Sequence, residues 1–161
     1  MGGSRAVLMV GLFLLASASA PLASSHTQQT LTVILVEDGV VSGNITDPAF
    51  VQGNALWFRM EDNTENTTMK VRLDIDQDGV FNASNDFEST DLVHECELNE
   101  TGALVDEDCA VSATYAFSMN ATVGTYAFWV HRTSNETETV WNHTVAVHKD
   151  CLLYTSPSPR D

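Results

Sequence analysis

The sequence predicts an all-β protein, an antiparallel β-sandwich of seven or eight strands. Short segments in which apolar and polar residues alternate recur along the chain, and clusters of Asn, Asp, Gly, Ser and Thr separate them. Beyond the N-terminal segment, no stretch has the periodicity or the capping residues of a helix. Many short strands divided by turn residues are typical of a sandwich.

The predicted strands follow one another at short intervals. They cover residues 30–37, 40–41, 54–60, 68–76, 92–98, 109–119, 124–132 and 139–148. In the fourth, Leu73 and Ile75 share the face of Met69 and Val71, so Asp74 and Asp76 are expected to face solvent. In the last three, the same alternation predicts these core-facing residues: Val111, Ala113, Tyr115, Phe117 and Met119; Tyr126, Phe128 and Val130; Trp141, Val145 and Val147.

The C-terminal hairpin narrows the choice of sandwich. Residues 124–130 read Gly-Thr-Tyr-Ala-Phe-Trp-Val, and a second apolar strand follows at residues 140–147. This pair resembles the last two strands of immunoglobulin-like or PKD-like domains in secreted, archaeal-like prokaryotic surface proteins. The resemblance covers residues 123–147. It implies an immunoglobulin-like sandwich and transfers no functional residue.

Length and charge exclude two broad classes of protein. The 161 residues include 7 Lys and Arg against 22 Asp and Glu, which gives a net charge of -15. A protein that binds nucleic acid through a basic surface is excluded, because phosphate binding needs clustered Lys and Arg. A hydrophobic content of 43% also excludes a disordered acidic tail. The length suits a single domain.

Both ends of the chain differ from the middle. Residues 1–18 have the basic start, apolar run and small residues of a secretory signal peptide, with an uncleaved anchor as the alternative. Residues 151–161 resemble a translated sequencing adapter, and a Ser-Pro-rich linker is the alternative. We therefore expect an extracellular or cell-surface protein with a linker at 19–28, a sandwich at 29–150 and no membrane span after cleavage. Residues 19–150 alone contain 5 basic and 21 acidic side chains, a net charge of -16.

Two cysteines remain in this central stretch. Cys96 and Cys109 are an even pair in an exported chain, which predicts one disulfide. Two free buried thiols are the alternative, and metal binding by two isolated cysteines is less favoured.

Residues 74–86 contain the most specific chemical pattern. Asp74, Asp76 and Asp78 alternate before Gly79, so three carboxylates can converge on one hard cation while the glycine makes the turn. The pattern resembles the calcium loops of EF-hands and dockerins. It departs from them because a strand precedes it and because Asn85 replaces the bidentate Glu. The full predicted ligand set, with Glu88 as an alternative to Asp86, is Asp74, Asp76, Asp78, Val80, Asn82, Asn85 and Asp86. A solvated acidic turn is the alternative to calcium.

Seven Asn-x-Ser/Thr sequons predict N-glycosylation, and chance occurrence in Asn- and Thr-rich turns is the alternative. Most of them lie at predicted turns or strand ends. Asn82 is not expected to carry a glycan and ligate calcium at the same time. The acceptors are Asn44, Asn66, Asn82, Asn99, Asn120, Asn135 and Asn142.

No catalytic motif occurs in the sequence, so we expect a protein that is not an enzyme. The five histidines are expected to face solvent or to be satisfied. The three tryptophans, Trp57, Trp129 and Trp141, are expected to pack in or at the edge of the sandwich, with a sugar-stacking platform as the alternative. We expect a structural or adhesion module, stabilised by calcium, whose partners are other surface proteins or glycans. The alternative is a carbohydrate-binding or protease-associated accessory domain of a secreted hydrolase.

Overall fold

Residues 27–151 are described by the computed structural model, and they form eight strands in two sheets. The signal-peptide residues 1–18, linker residues 19–26 and residues 152–161 lie outside the described part. The predicted all-β sandwich is confirmed. In chain order the strands are β1 (Thr30–Val36), β2 (Gly39–Val40), β3 (Ala55–Met60), β4 (Thr67–Leu73), β5 (Phe87–Glu88), β6 (Ser112–Ala116), β7 (Gly124–Ser134) and β8 (Thr137–Val147).

The first sheet has the order β2-β1-β3-β6 and the second has the order β5-β4-β7-β8. Period-two alternation places the apolar residues of both sheets on their inner faces. Phe58 of β3 and Phe128 of β7 meet edge to face with ring centroids 5.7 Å apart, so the two sheets pack directly on each other. The fully buried side chains of this core include Val33, Leu35, Leu56, Phe58, Met69, Val71, Leu73, Leu92, Phe128, Val130 and Val145.

The β7–β8 hairpin is the longest pairing in the described chain. Its register runs from Gly124 opposite Val147 to Ser134 opposite Thr137. Asn135 and Glu136 both have positive φ, 47° and 66°, which is the conformation of a tight type I′ turn. The order β5-β4-β7-β8 matches the C′-C-F-G sheet of variable-type immunoglobulin domains.

Tyr126, near the start of β7, adds a second immunoglobulin-like feature. Its hydroxyl donates a hydrogen bond to the carbonyl of Thr122, four residues upstream. This is the arrangement of a tyrosine corner, which fixes the approach of the chain to this strand. Burial raises the pKa of the Tyr126 hydroxyl, so the group stays protonated and can donate.

The pairing of β1 with β3 is parallel, so the expectation of a wholly antiparallel sandwich is wrong for this pair. The chain between them crosses to the second sheet, where Ile45 bridges Val145 and Val51 bridges His148, both in the parallel sense. Only after this crossover does β3 return beside β1 in the same direction. Parallel neighbours require such a crossover, and alternation of side chains does not reveal it.

Residues 92–98 do not form the predicted strand. Leu92 is fully buried and makes single bridges to Met69 and Ala110, but the residues after it are largely exposed. On the side of β4 away from β7, the neighbouring strand is β5 (Phe87–Glu88), which was not predicted. The strand predicted over 109–119 is shorter, at Ser112–Ala116, and Val111 and Met119 at its predicted ends are 37% and 40% exposed. β5 was missed because a strand of two residues is too short to show an alternation of apolar and polar side chains.

Other core-facing predictions are confirmed. Tyr126, Phe128 and Val130 of β7 are buried, as are Val145 and Val147 of β8, and Trp141 packs against the core. Within residues 27–151, no helix is long and apolar enough to cross a membrane.

Candidate metal site

The candidate site lies at the end of β4. The strand ends at Leu73, and the next backbone N–H, that of Asp74, donates to the Ala127 carbonyl of β7 at 2.9 Å. The side chain of Asp74 is 2% exposed, so the prediction that it faces solvent is wrong. Strand alternation stops at Leu73, and the chain then folds over the carboxylate.

The loop closes around the Asp74 carboxylate through backbone hydrogen bonds. Its Oδ1 accepts from the N–H of Asp78 at 3.2 Å, and its Oδ2 accepts from the N–H of Gly79 at 2.8 Å. Positive φ angles at Gln77 and Gly79, 60° and 82°, reverse the chain direction. Glycine adopts this conformation without a steric penalty, which is the role predicted for Gly79.

The exposed side chains of Asp76 and Asp78 complete a group of three carboxylates. Asp76 Oδ1 accepts from the Asp78 N–H at 3.3 Å, and Asp78 Oδ1 accepts from the Val80 N–H at 2.8 Å. One carboxylate oxygen from each of Asp74, Asp76 and Asp78 lies within 4.8 Å of the others. The alternating spacing therefore does bring the three predicted acids together, and this group could hold a metal ion.

The other predicted ligands differ in how near they come to the three carboxylates. Asn85 does reach them, because its Nδ2 lies 3.3 Å from Asp76 Oδ2. Asn82 instead accepts a hydrogen bond from the Ser84 N–H at 3.0 Å. Val80 follows Asp78 with its side chain 66% exposed. Glu88 pairs with Arg72 at 2.6 Å, so it does not close the site.

Asp86 joins the two ends of the loop. Its Oδ1 accepts from the Ile75 N–H and its Oδ2 accepts from the Asn82 N–H, each at 2.7 Å. Both oxygens are thus engaged by the backbone, and the carboxylate fixes the entry of the loop against its exit. The structure therefore gives Asp86 a structural role in the loop, and its ligation of a metal stays a prediction.

Two side chains that were not predicted hold the loop on the second sheet. The Phe81 ring packs against the Arg72 guanidinium, whose central carbon lies 4.6 Å from the ring centroid. On the other side, the Gln77 side chain lies against Gly124, where a Cβ atom would be 3.2 Å from its amide. These contacts pair residues far apart in sequence, and no local pattern indicates them.

The donor set fits a hard divalent cation. All three side chains offer carboxylate oxygens, which Ca²⁺ and Mg²⁺ prefer, and soft metals would need sulfur or imidazole. Three like charges within 4.8 Å repel one another, and a bound cation relieves that repulsion. The loop is also preorganised, because its backbone already orients the carboxylates.

The predicted disulfide between Cys96 and Cys109 is confirmed, with a Cα to Cα distance of 5.9 Å. It closes a loop in which residues 97–108 are all exposed. Next to it, the Val93 N–H donates to the Ala110 carbonyl at 2.9 Å, so the two ends of the loop are joined to each other. Cys151 is a free, exposed cysteine.

Every asparagine of the seven sequons is exposed. Asn66 and Asn135 lie in tight turns with positive φ, and Asn142 lies on the outer face of β8. Exposure of the side-chain amide is the steric requirement for attachment of a glycan. The exposed acceptors are Asn44, Asn66, Asn82, Asn99, Asn120, Asn135 and Asn142.

The three tryptophans do not share a surface. Trp57 belongs to the first sheet, whereas Trp129 and Trp141 belong to the second. Trp129 pairs with Asn142, and Trp141 pairs with the buried Val130, so these two point to opposite faces. A common sugar-stacking platform is therefore excluded by the strand register.

Two histidines of the second sheet have different surroundings. His131 Nδ1 lies 2.8 Å from Glu138 Oε1 on the outer face of the second sheet. His143 lies against Phe128, with ring centroids 5.5 Å apart, and burial lowers the pKa of its imidazole. The strand position of His143 points inward, and its buried Nε2 has no hydrogen-bond partner among residues 27–151, so the expectation of a solvent-facing or satisfied histidine is wrong for this residue. No protein-family model matches the chain and no curated protein matches it, so functional proposals rest on the residues themselves.

Proposed function

We propose that the chain is a secreted or cell-surface module without catalytic activity, stabilised by calcium at the Asp74, Asp76 and Asp78 carboxylates. The observation that supports this most directly is the convergence of those carboxylates within 4.8 Å. The ion neutralises part of a net charge of -15 and joins the loop to the end of β4. Its role is therefore structural, in a domain suited to adhesion or to spacing other domains.

Calcium is proposed over magnesium because of the shape of the loop. Ca²⁺ accepts six to eight oxygens in flexible geometry, so carboxylates, the Asn85 amide oxygen after a flip of its amide, the Val80 carbonyl and water can share it. Mg²⁺ requires near-ideal octahedral geometry and retains its waters. We expect the dissociation constant for calcium to be on the order of 10⁻⁴ to 10⁻³ M, the range of extracellular modules.

An extracellular location is supported by the disulfide and by the exposure of all seven sequon asparagines. We propose that several of these sequons carry glycans. Asn82 is the exception, because it lies in the metal loop and is not expected to carry a glycan and ligate calcium at the same time. Mass spectrometry of the protein secreted from a glycosylating host, before and after glycosidase treatment, tests this; occupancy at no site would refute it.

Thermal unfolding with and without calcium tests the metal proposal. About 10 mM Ca²⁺ should stabilise the fold by about 1.5 to 3 kcal/mol, from mass action at the expected affinity. This corresponds to a rise in Tm of roughly 5–10 °C for a domain of this size. Equal Mg²⁺ should give a clearly smaller rise.

The informative variant is Asp76→Ala, because Asp76 is exposed and makes only two long hydrogen bonds, at 3.3 Å. It should lose the calcium-dependent rise and keep the Tm of the metal-free protein. Asp38→Ala is the matched control, since Asp38 is an exposed acid in another Asp-Gly turn. The proposal is wrong if calcium does not shift the Tm of the unaltered protein. It is also wrong if calcium raises the Tm of Asp76→Ala as much as that of the unaltered protein.

A further inference from the structure

The segment closed by the Cys96–Cys109 disulfide contains a short hairpin. Leu98 and Leu104 are paired in an antiparallel bridge, and nearer the turn the Asn99 N–H donates to the Ala103 carbonyl at 2.8 Å. The disulfide and the backbone hydrogen bonds fix the conformation of this hairpin, although the whole enclosed segment is exposed. A surface of fixed conformation loses little entropy when a partner binds to it.

The two leucines form an exposed apolar pair on one face of the hairpin. Residues that face each other across an antiparallel bridge have their side chains on the same side. Leu98 and Leu104 are 58% and 40% exposed. Beside them lies a groove of about 470 Å³, lined by Glu95, Cys96, Glu97 and Leu98. Paired apolar side chains next to a groove offer a contact area that a single exposed residue does not.

Acidic side chains surround this apolar pair. Residues 95–108 contain six Asp and Glu and no Lys or Arg. All six acids are exposed, and within residues 27–151 none of them forms a salt bridge. The nearest basic residues along the chain, Arg72 and Arg132, pair with other acids. The negative charge of the hairpin is therefore not compensated by the described part of the chain.

A second groove, of about 540 Å³, lies at the other cysteine of the disulfide. Its lining includes Cys109, the hairpin acids Asp106 and Asp108, and one basic residue, Lys70. The Lys70 Nζ already lies 3.4 Å from Asp91 Oδ1. Asp106 and Asp108 thus add negative charge to this groove that no cation balances. An acidic groove adjoins each cysteine of the disulfide.

Charge and spacing together select the kind of partner. A second copy, nucleic acid and anionic lipid are all opposed, because each brings negative charge to six uncompensated carboxylates. A single metal ion does not match the hairpin either, since within residues 27–151 the group of acids that converges closely enough is Asp74, Asp76 and Asp78. Carboxylates spread along a hairpin match several separated cations, which the Lys and Arg side chains of a protein supply.

We propose that this hairpin binds a basic protein partner. Apolar side chains of the partner contact Leu98 and Leu104, while its Lys or Arg side chains lie in the two acidic grooves. The proposal rests on the adhesion role proposed above and gives that role a contact surface. A glycan on Asn99 leaves the contact open, because successive residues of a strand point to opposite faces and Asn99 follows Leu98.

Titration with short peptides of defined charge tests the proposal. The probe is the fluorescently labelled, N-acetylated peptide Lys-Leu-Lys-Leu-Lys, and its anisotropy is followed at about 20 mM NaCl, where charges are weakly screened. Lys-Ser-Lys-Ser-Lys has the same charge without the apolar side chains, so it should bind about tenfold more weakly. The proposal is overturned if the first peptide does not bind, or if both bind equally.

The titration is made in EDTA, so that its result does not depend on the metal site. Failure of the peptide to bind, in a protein whose Tm still responds to calcium, contradicts the hairpin surface and leaves the metal proposal standing. Peptide binding in a protein that does not respond to calcium gives the opposite outcome.

Two double variants locate the contact. Leu98→Ser/Leu104→Ser should weaken binding of the Leu-containing peptide about tenfold, because the apolar contact is lost. Asp106→Asn/Asp108→Asn should weaken it several-fold and reduce its dependence on salt. The Asp106 Oδ1 accepts from the Asp108 N–H at 3.0 Å, and asparagine keeps this acceptor. Because all four side chains are exposed, Tm should be unchanged in both variants.

Each double variant has a matched control outside the hairpin. Val41→Ser/Val140→Ser removes two other exposed apolar side chains, which are 68% and 46% exposed. Glu65→Gln/Glu136→Gln removes the same charge as the aspartate variant, from exposed positions elsewhere. Both controls should bind the peptide as the unaltered protein does. Equal weakening in a variant and its control overturns the proposal, since binding would then follow overall charge or apolar content.

A neutral lipid surface is the other occupant that exposed leucines could enter. We expect the protein not to sediment with vesicles of phosphatidylcholine, because insertion would bring the six carboxylates of the hairpin toward a medium of low dielectric constant. Sedimentation with these vesicles that is lost in Leu98→Ser/Leu104→Ser would assign the hairpin to a membrane and overturn the proposal.

Discussion

The buried ion pair between Asp62 and Arg132 allows a quantitative test of how the two sheets are held together. Asp62 follows β3 and Arg132 lies in β7, and the Arg132 Nε donates to Asp62 Oδ2 at 2.7 Å. Their side chains are 1% and 13% exposed. The other oxygen, Oδ1, accepts from the N–H and the hydroxyl of Thr64 at 3.0 Å and 2.6 Å. The carboxylate is therefore fully engaged and shielded from water.

Removing one partner leaves a buried charge without its counterion. Such changes typically cost about 3–5 kcal/mol. We expect about 3 kcal/mol for Asp62→Asn or Arg132→Leu, because Thr64 still binds the group at position 62 and water partly reaches the guanidinium. The free energy of unfolding should fall by this amount in urea denaturation, and Tm should fall by roughly 10–15 °C.

The double variant Asp62→Asn/Arg132→Leu separates the pair from other effects. It removes both charges, so its loss should be smaller than the sum of the single losses, with a coupling of about 2 kcal/mol. Additive losses, or single losses below about 1 kcal/mol, would refute the assignment of this pair as a link between the sheets.

The same pair predicts a pH dependence. Burial by itself raises the pKa of Asp62, but the hydrogen bonds from Arg132 and Thr64 outweigh it and hold the pKa below its ordinary value of 3.8. A folded-state pKa below the unfolded one gives stabilisation that is full above the unfolded pKa and is lost as the pH falls through the folded pKa. The stability gap between the unaltered protein and Asp62→Asn should therefore narrow below about pH 4. A gap that stays constant to pH 2 contradicts this reasoning.

Three further changes have defined outcomes. Reduction of the Cys96–Cys109 disulfide should lower the free energy of unfolding by about 3 kcal/mol in urea, with the far-ultraviolet circular dichroism of the sandwich retained because the enclosed loop is exposed. Tyr126→Phe should cost about 1 kcal/mol through loss of the hydrogen bond to the Thr122 carbonyl. Phe128→Ala should cost about 3–5 kcal/mol in the same assay, because the ring is fully buried between the sheets.

Each of these has a control in the chain. Cys151→Ser should not change stability, since this cysteine is free and exposed. Tyr115→Phe should cost less than Tyr126→Phe, because the described residues offer the Tyr115 hydroxyl no hydrogen-bond partner. Val41→Ala should have little effect, since Val41 is 68% exposed. Equal losses in a variant and its control contradict the corresponding interpretation.

The strongly alternating strands were predictable because burial acts directly on sequence. In β7 and β8 every second residue must enter the core, so Tyr126, Phe128, Val130 and Val145 are recognisable without coordinates. β5 was not predictable, because two residues cannot show a period. The segment after Leu92 was misassigned, since one buried leucine among exposed residues looks like the beginning of a strand.

The candidate metal site was likewise predictable from the sequence only in part. The spacing of Asp74, Asp76 and Asp78 before Gly79 is local, and a loop of that length must bring its alternate side chains together. The burial of Asp74 was not foreseeable, because it depends on where β4 ends and on the bond to Ala127 in β7. The sequence also could not show that the Asp86 carboxylate accepts hydrogen bonds from the loop backbone, or that Glu88 forms an ion pair with Arg72.

The sequence by itself thus determined the sandwich, the disulfide and the convergence of three carboxylates, since each follows from periodicity or from short separation along the chain. Only the tertiary structure decided the parallel pairing of β1 with β3 and the separation of the three tryptophans. Those features depend on which segments become neighbours after the chain crosses between sheets. The crossover is determined by packing of the whole core, and no local segment encodes it.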